Sequence, residues 1–402
     1  MISPTLARVE AARSCTGCGA CAALAPEKFA LSLSDDGFHR PRQTAPLDDN
    51  EEAAFAAVCP GRGMSQPRAE GEDDPFWGPV VGLWKGAATD PELRRNASSG
   101  GALSALLMHL LHTGQVAHVV QTGAGDIPYG NGTVVSRDAA SVFEAAGSRY
   151  APSSPVAGID SHLAKGEPFA FVGKPCDVAA LRAMARRDPR IDRLVPYMIS
   201  FFCAGVPSLK GAEAVLQRMG CRPEDVASFR YRGEGWPGPA RAVLKDGSVR
   251  TLTYEQSWGD ILSKHLQFRC KICPDGTGGA ADVVCADAWE CDDEGYPLFE
   301  EREGVSLVLA RTTRGAALVA AAQAADAIEM STARVADIAA MQPGQLKKKR
   351  LALSRLLALR LMLRPVPAFH GYRLGAAARS AGLIANLRSF LGTCRRIAGG
   401  RA

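Results

Sequence analysis

The pattern of apolar and polar positions changes character twice along the chain. From about residue 77 to 335, short apolar runs alternate with helical stretches. Phe169-Ala170-Phe171-Val172 and residues 195–202 are apolar almost throughout, as strands buried on both faces are. Asp282-Val283-Val284-Cys285-Ala286-Asp287-Ala288-Trp289 reads as a further buried strand flanked by acids. Residues 102–111 form a strong helical stretch ended near Gly114, and 315–328 an alanine-rich one. This alternation predicts an α/β core, a mixed sheet with flanking helices. Before it stands a polar, proline-ended linker, Gly71-Glu72-Asp73-Asp74-Pro75. Beyond 335 the pattern is mostly helical, and in 351–363 apolar residues recur at helical spacing among basic ones. The organisation expected is an N-terminal domain over 1–68, a catalytic domain over 77–335 and a basic helical tail over 336–402.

Composition fits an intracellular enzyme. A chain of 402 residues, 47% hydrophobic, has room for two or three domains and an ample core. The start, Met1-Ile2-Ser3-Pro4, has no apolar signal segment, and no uninterrupted apolar run reaches the roughly 18 residues of a spanning helix. A soluble, cytoplasmic protein is expected. The net charge of +5 hides an asymmetry. Thirteen Lys and Arg fall between 347 and 401 and no acid follows Asp337, which leaves −8 for the rest. A basic amphipathic helix can meet an acidic partner, nucleic acid or a membrane surface. No recognition motif supports nucleic acid, and the favoured reading is a helix packed on the body with its charges in water.

Twelve cysteines in a long chain with Cys-x2-Cys spacing favour metal over disulfides. Cys15, Cys18 and Cys21 stand at two-residue gaps, and Cys59 precedes Pro60. Three tandem thiolates with a remote Cys-Pro are the bacterial ferredoxin manner of holding a 4Fe–4S cluster. The compact motif would place its fourth Cys where Ala25 stands before Pro26, so a compact two-cluster ferredoxin is excluded. The alternative is a zinc site or unliganded core thiols; zinc sites pair two Cys-x2-Cys units or Cys with His, and three cysteines in tandem are rarer there. Cys176, Cys203, Cys270 and Cys273 form a second set, the first two at ends of predicted strands. They can hold a second cluster; the alternative is two buried structural cysteines beside a Cys-x2-Cys. Cys285 and Cys291 lie near enough in sequence to replace one of the four.

The helix at 102–111 follows Asn96-Ala97-Ser98-Ser99-Gly100-Gly101. Serines can cap it, glycines let backbone N–H groups approach a ligand, and the helix dipole favours an anion there. A flavin or dinucleotide phosphate is the natural occupant. Lys174, before Pro175-Cys176 at a predicted strand end, is the candidate group beside a flavin ring. Arg230 and Arg232, in a glycine-rich stretch, can pair with phosphate or a substrate carboxylate.

Taken in order, Asn96 to Gly101, Gly173-Lys174-Pro175-Cys176, Phe202-Cys203-Ala204-Gly205-Val206-Pro207-Ser208, Cys270-x2-Cys273-x-Asp275 and Ala281-Asp282 resemble the beta-subunit family of coenzyme F420 (deazaflavin) hydrogenases and dehydrogenases. That family includes 7-hydroxymethyl chlorophyll a reductase and ferredoxin-dependent 8-vinyl reductases. The resemblance covers roughly residues 10–345; the tail departs from it. It implies an FAD-binding α/β core with 4Fe–4S clusters. The flavin segment would hold Asn96, Ser98, Ser99, Gly100 and Gly101, with Gly173, Lys174 and Pro175 close to the cofactor, and Cys176, Cys203, Cys270 and Cys273 match cysteine positions of the family core. The function expected is an oxidoreductase. Electrons would pass from ferredoxin or a partner subunit through two clusters to FAD, then as hydride to a deazaflavin, a small molecule or a tetrapyrrole. The alternative is an electron-transfer beta subunit without turnover of its own.

Overall fold

The computed structural model describes residues 2–292, 298 and 300–400. Its centre is an eight-stranded mixed sheet: β1 (Gly82–Ala88), β2 (His118–Ala124), β3 (Asn131–Ser136), β4 (Phe169–Val172), β5 (Tyr197–Phe201), β6 (Val283–Asp287), β7 (Ser306–Ala310) and β8 (Ile328–Thr332). Their spatial order is β8-β1-β7-β6-β5-β4-β2-β3. The four central strands β2, β4, β5 and β6 run parallel, and every other pairing is antiparallel. The period of two is visible in burial. Phe169, Phe171, Val284, Leu307 and Leu309 enter one core cluster, while Ala170, Val172, Val283, Cys285 and Val308 enter the other. The first face is covered by α2 (Pro175–Ala185), through Val178 and Leu181. The second is covered by α1 (Ala102–His112) and α3 (Thr313–Ala324). The predicted α/β core is therefore present, with both faces covered as a parallel centre requires.

Several boundaries differ from the sequence reading, each for a local reason. The apolar run at 195–202 becomes a strand only at Tyr197, because Val195 caps the short helix Pro189–Leu194. The alanine-rich helix stops at Ala324. Asp326 then takes a left-handed φ of 55°, and Ile328 opens β8. The polar linker is a hairpin: Glu72–Asp74 pairs with Gly78–Val80. Asp74 makes it turn, its Oδ1 accepting from the N–H groups of Phe76 and Trp77 at 2.7 and 2.9 Å.

The N-terminal segment packs helices Pro4–Ala11, Ala20–Leu24 and Asp49–Val58 around the hairpin Phe29–Leu33/His39–Gln43. Its own core is Leu6, Cys21, Ala25, Phe29 and Phe55, while Cys18, Ala20 and Val58 belong to the cluster beneath the sheet. The segment thus shares apolar core with the sheet. The tail folds back too. Helices α4 (Pro343–Arg350), α5 (Ala352–Leu361) and α6 (Leu383–Ala398) follow one another, and strand Ala368–His370 pairs in parallel with Gly63–Ser65. Among the described residues no helix is long and apolar enough to cross a membrane.

Gly100 shows how tightly the segment before α1 lies on the sheet. A Cβ there would stand 2.7 Å from both the Gly86 carbonyl oxygen and the Ser306 amide nitrogen. Gly100→Val is therefore expected to destabilise the fold by about 1–3 kcal/mol or more, as overpacking does. Thermal and urea unfolding would measure it, and a variant as stable as the parent would contradict this packing.

Candidate functional site

A cavity of about 580 Å³ opens at the carboxyl ends of the central parallel strands, where open α/β sheets collect ligands. Its size suits a small-molecule or cofactor site. Thr122, Val172, Phe201, Phe202 and Asp287 line it from the strand ends, and Ala102, Leu103 and Ser104 from the first turn of α1. The N-cap of α1 is Gly101 at φ 76°, and no side chain caps the helix. The serines expected as caps are occupied elsewhere. Ser99 Oγ donates to the Val305 carbonyl at 3.1 Å, and Ser98 Oγ accepts from the Ser148 N–H. The amide donors and positive dipole end of α1 are thus left to the cavity.

The charge of the lining is mostly positive. Arg149, Lys174, Arg232 and Lys347 stand against one acid, Asp287. That acid is spent on Arg232, which it grips with both oxygens at 3.0 Å. Arg232 also donates to the Pro237 and Ser98 carbonyls and lies over the Tyr254 and Trp289 rings at 4.8 and 5.3 Å. Trp236 packs on Trp289 with centroids 4.6 Å apart, giving this wall an aromatic surface. Lys174 follows β4 directly. Its Nζ donates to Ser153 Oγ at 2.8 Å and pairs with Asp177 at 2.7 Å. Burial disfavours the ammonium, but Asp177, and Cys176 after it, outweigh burial and hold Lys174 above its usual range. It is a buried cation at the cavity wall.

Both cysteine sets gather. Cys15, Cys18, Cys21 and Cys59 line one small cavity with Leu6, Phe55 and Pro60. Burial first, then mutual repulsion among these four thiols, pushes Cys59 up to about 12 and Cys21 well above the ordinary thiol range. In the second set, burial and the neighbouring Cys270 and Cys273 raise Cys203 to about 12, against the pull of Lys348. Cys176 is raised by burial and, among other charges, by both Cys203 and Cys18. Cys176 therefore stands within electrostatic reach of both sets. Cys203 lines the large cavity, so the second set adjoins it. A single tetrahedral ion needs ligands converging on one point; among the described residues no three or more His, Cys, Asp or Glu are so arranged. A four-iron cluster asks for a wider set, one thiolate at each iron.

Buried cations lie near these cysteine sets with no carboxylate within ion-pair distance among the described residues, although Asp275, itself buried, acts on Arg311 and Lys349 from farther off. Arg269, 1% exposed, donates to the Pro60 carbonyl beside Cys59 and precedes Cys270 in the chain. Its Nε and Nη1 have no hydrogen-bond partner, and among the described residues no carboxylate pairs with it within 4 Å. Arg311 is equally buried and donates only to the carbonyls of Trp77, Pro79 and Thr277; burial lowers it to about 10. Lys349, 7% exposed, is lowered by burial to about 8, with Asp275 and Cys273 pulling the other way. Lys348 donates to the Cys203 carbonyl at 3.2 Å. The basic run of the tail is thus partly interior, unlike the solvated charges the sequence reading favoured. A buried cation without a counter-charge costs several kcal/mol, so this cluster fits a site whose ligands carry negative charge.

Of the residues singled out from sequence, Ser98, Ser99, Gly101, Lys174 and Cys203 line the large cavity. Asn96, Gly100, Gly173 and Pro175 do not. Asn96 donates to the Phe143 carbonyl at 3.0 Å and accepts from Arg230 at its own. Gly173 is needed for packing, since a Cβ would meet Asp177 and Phe171 at 2.8 Å. Cys285 lies on the cavity floor and owes its raised pKa to burial alone, while Cys291 donates to the Ala340 carbonyl at 2.9 Å; neither sits with the thiol sets. The sequence reading missed Arg149, the aromatic wall and the part played by Gln342 to Lys347. No local motif marks them, because long-range folding brings them in.

This arrangement is that of an α/β protein with a cofactor-sized, basic cavity at its strand ends and two cysteine sets beside it. The chain belongs to the coenzyme F420 hydrogenase/dehydrogenase beta-subunit family. Residues 83–159 match the model of its N-terminal part and 166–336 that of its C terminus, together more than half of the chain. The F420-dependent formate dehydrogenase 1 subunit beta of Methanococcus maripaludis is 29% identical over 53% of this chain and 54% of its own. The coenzyme F420 hydrogenase subunit beta of Methanosarcina barkeri is 23% identical over 52% of this chain and 72% of its own. The formate dehydrogenase subunit beta of Methanocaldococcus jannaschii is 29% identical over 54% and 58%. The chain thus spans little more than half the length of these formate dehydrogenase subunits. Among solved structures, a chain from the xenon-derivatised F420-reducing NiFe hydrogenase complex of Methanosarcina barkeri superposes with a TM-score of 0.57 at 20% identity, over 73% of this chain and 96% of that one. That likeness is one of fold. The four-cysteine N-terminal set and the tail lie outside both matched regions.

Asp287→Ala would leave Arg232 buried and unpaired. It is expected to cost about 3–5 kcal/mol in urea unfolding compared with the parent in the same cofactor state. A loss below 1 kcal/mol would contradict the role given to this pair.

Proposed function

We propose that the chain is a redox protein of the beta-subunit type, taking electrons from an electron-donating partner and passing them through two 4Fe–4S clusters and FAD to an organic acceptor. The observation that carries this reading is the group of buried cations, Arg269, Arg311 and Lys349, which among the described residues have no carboxylate within ion-pair distance, next to cysteine sets that adjoin a basic cavity. Bound clusters supply one-electron transfer, and a bound flavin couples it to two-electron hydride chemistry. Cys15, Cys18, Cys21 and Cys59 would hold one cluster in a ferredoxin-like fashion, and Cys176, Cys203, Cys270 and Cys273 the other. The free N-terminus of α1, with Arg149 and the main chain of Ser98 to Gly101, would receive the phosphates of FAD. The Trp236 and Trp289 wall would exclude water. Lys174, held as an ammonium by Asp177 and Ser153, would donate a hydrogen bond or proton at the cavity wall.

The relatives' names favour work as a subunit of a hydrogenase or dehydrogenase complex. A second reading, a reductase with its own electron entry from a ferredoxin, is favoured by the packing of the N-terminal segment on the sheet, where Cys18 shares an apolar cluster with Val178 and Leu181 of α2. In either case a deazaflavin or a tetrapyrrole fits the aromatic, basic cavity as acceptor class.

Anaerobic purification of two variants tests the assignment. Cys18→Ser is expected to lose about four irons, one cluster's worth, and keep its flavin, since its ligands lie outside the cavity. Cys273→Ser is expected to lose iron and most of the flavin, because its set adjoins the cavity wall. Equal flavin loss in both variants would contradict two separate sites.

A further inference from the structure

The tail presents its apolar side to water. Helix α6 packs on α5 by one side only: Ser389 accepts from Arg355 Nε at 3.2 Å, Thr393 is buried, and Ile397 joins an apolar cluster with Leu356 and Leu359. On its other side four large apolar residues face outward, Leu383 at 84% exposure, Ile384 at 75%, Leu387 at 53% and Leu391 at 56%. Helix α5 and the turn after it add Leu357, Leu361 and Leu363. Seven of the twelve exposed large apolar side chains of the described residues therefore lie in this short stretch. Burial normally takes the leucines; on this side of α6 they are left in water.

The charge at this face narrows what covers it. At about 100° per residue, Leu383, Leu387, Leu391 and Ile384 form one sector of α6, and Arg395 and Arg388, both exposed, form its rim. Arg360 and Arg364 are exposed at the end of α5. No Asp or Glu follows Asp337 anywhere in the sequence. A protein partner matched to this face would have to be acidic and apolar over both helices. A bilayer with anionic headgroups offers both properties to any helix lying in its plane: aliphatic side chains enter the acyl boundary while arginines reach the phosphates. Sixteen residues is too short to span, which leaves the in-plane orientation.

We infer that α5 and α6 dock the protein on anionic phospholipid at a bilayer surface. The site would hold the redox core beside the membrane without inserting it, and it lies outside the regions matched by the family models.

Vesicle co-sedimentation of the anaerobically purified full chain tests this. Vesicles of phosphatidylcholine alone are compared with vesicles containing phosphatidylglycerol. The parent is expected to sediment with the anionic vesicles, at least tenfold more than with the neutral ones, and less at high salt. Leu387→Asp with Leu391→Asp should abolish sedimentation, and Arg388→Glu with Arg395→Glu should weaken it at least tenfold. All four positions are exposed, so circular dichroism and the visible spectrum should match the parent. Absence of binding to anionic vesicles overturns the proposal, as does binding that both variants retain. A dimer in light scattering, lost in Leu387→Asp with Leu391→Asp, would overturn it too by assigning the face to a second copy.

Discussion

Buried positive charge without a close carboxylate partner is the constraint on which the rest of this structure depends: among the described residues Arg269, Arg311 and Lys349 form no ion pair within 4 Å, and buried Asp275 acts on the last two only from farther off. Arg269 reaches the carbonyl next to Cys59 and is itself the neighbour of Cys270, so one guanidinium touches the surroundings of both thiol sets. Arg311 and Lys349 close the same region from β7's end and from α4. Transfer of such groups from water costs several kcal/mol each after relaxation, and carbonyl partners recover only part of it. Thiolates bound to iron would supply the missing anions. The same electrostatics would make the thiols depend on the cations, because burial and mutual repulsion otherwise keep Cys21 and Cys59 protonated.

This constraint explains why three stretches distant in sequence pack together. The N-terminal segment brings Cys18 to Cys176 and shares apolar core with α2. The tail returns so that Lys348 meets the Cys203 carbonyl and Tyr372 donates to Asp275 at 3.2 Å. Asp275 in turn accepts from the amides of Gly278 and Thr277, fixing the loop after Cys273. The large cavity lies where these stretches meet the carboxyl ends of the parallel strands, and its floor and mouth are contributed by different parts of the chain.

Local features of this design were legible in the sequence. Apolar runs announced β4 and β6, since each is written in contiguous residues. The glycine-rich entry to α1 was legible in place but not in detail. Gly101 caps the helix and the serines do not, because their hydroxyls find partners in Ser148 and Val305. What pattern could not show was set by long-range contact. Asp74 turns a polar linker into a hairpin, Arg232, in the glycine-rich loop after strand Val226–Arg230, finds Asp287, and Lys349, in a run of four basic residues, goes inside. A charged run reads as solvated unless one knows what lies beneath it.

The central claim, that the two cysteine sets are cluster ligands whose negative charge the buried cations offset, is tested most directly by elemental analysis of the anaerobically purified chain, with electron paramagnetic resonance after reduction. The account predicts about eight irons per chain, four to a cluster, and two reduced-cluster signals broadened by their proximity. Stoichiometric zinc without iron would contradict it.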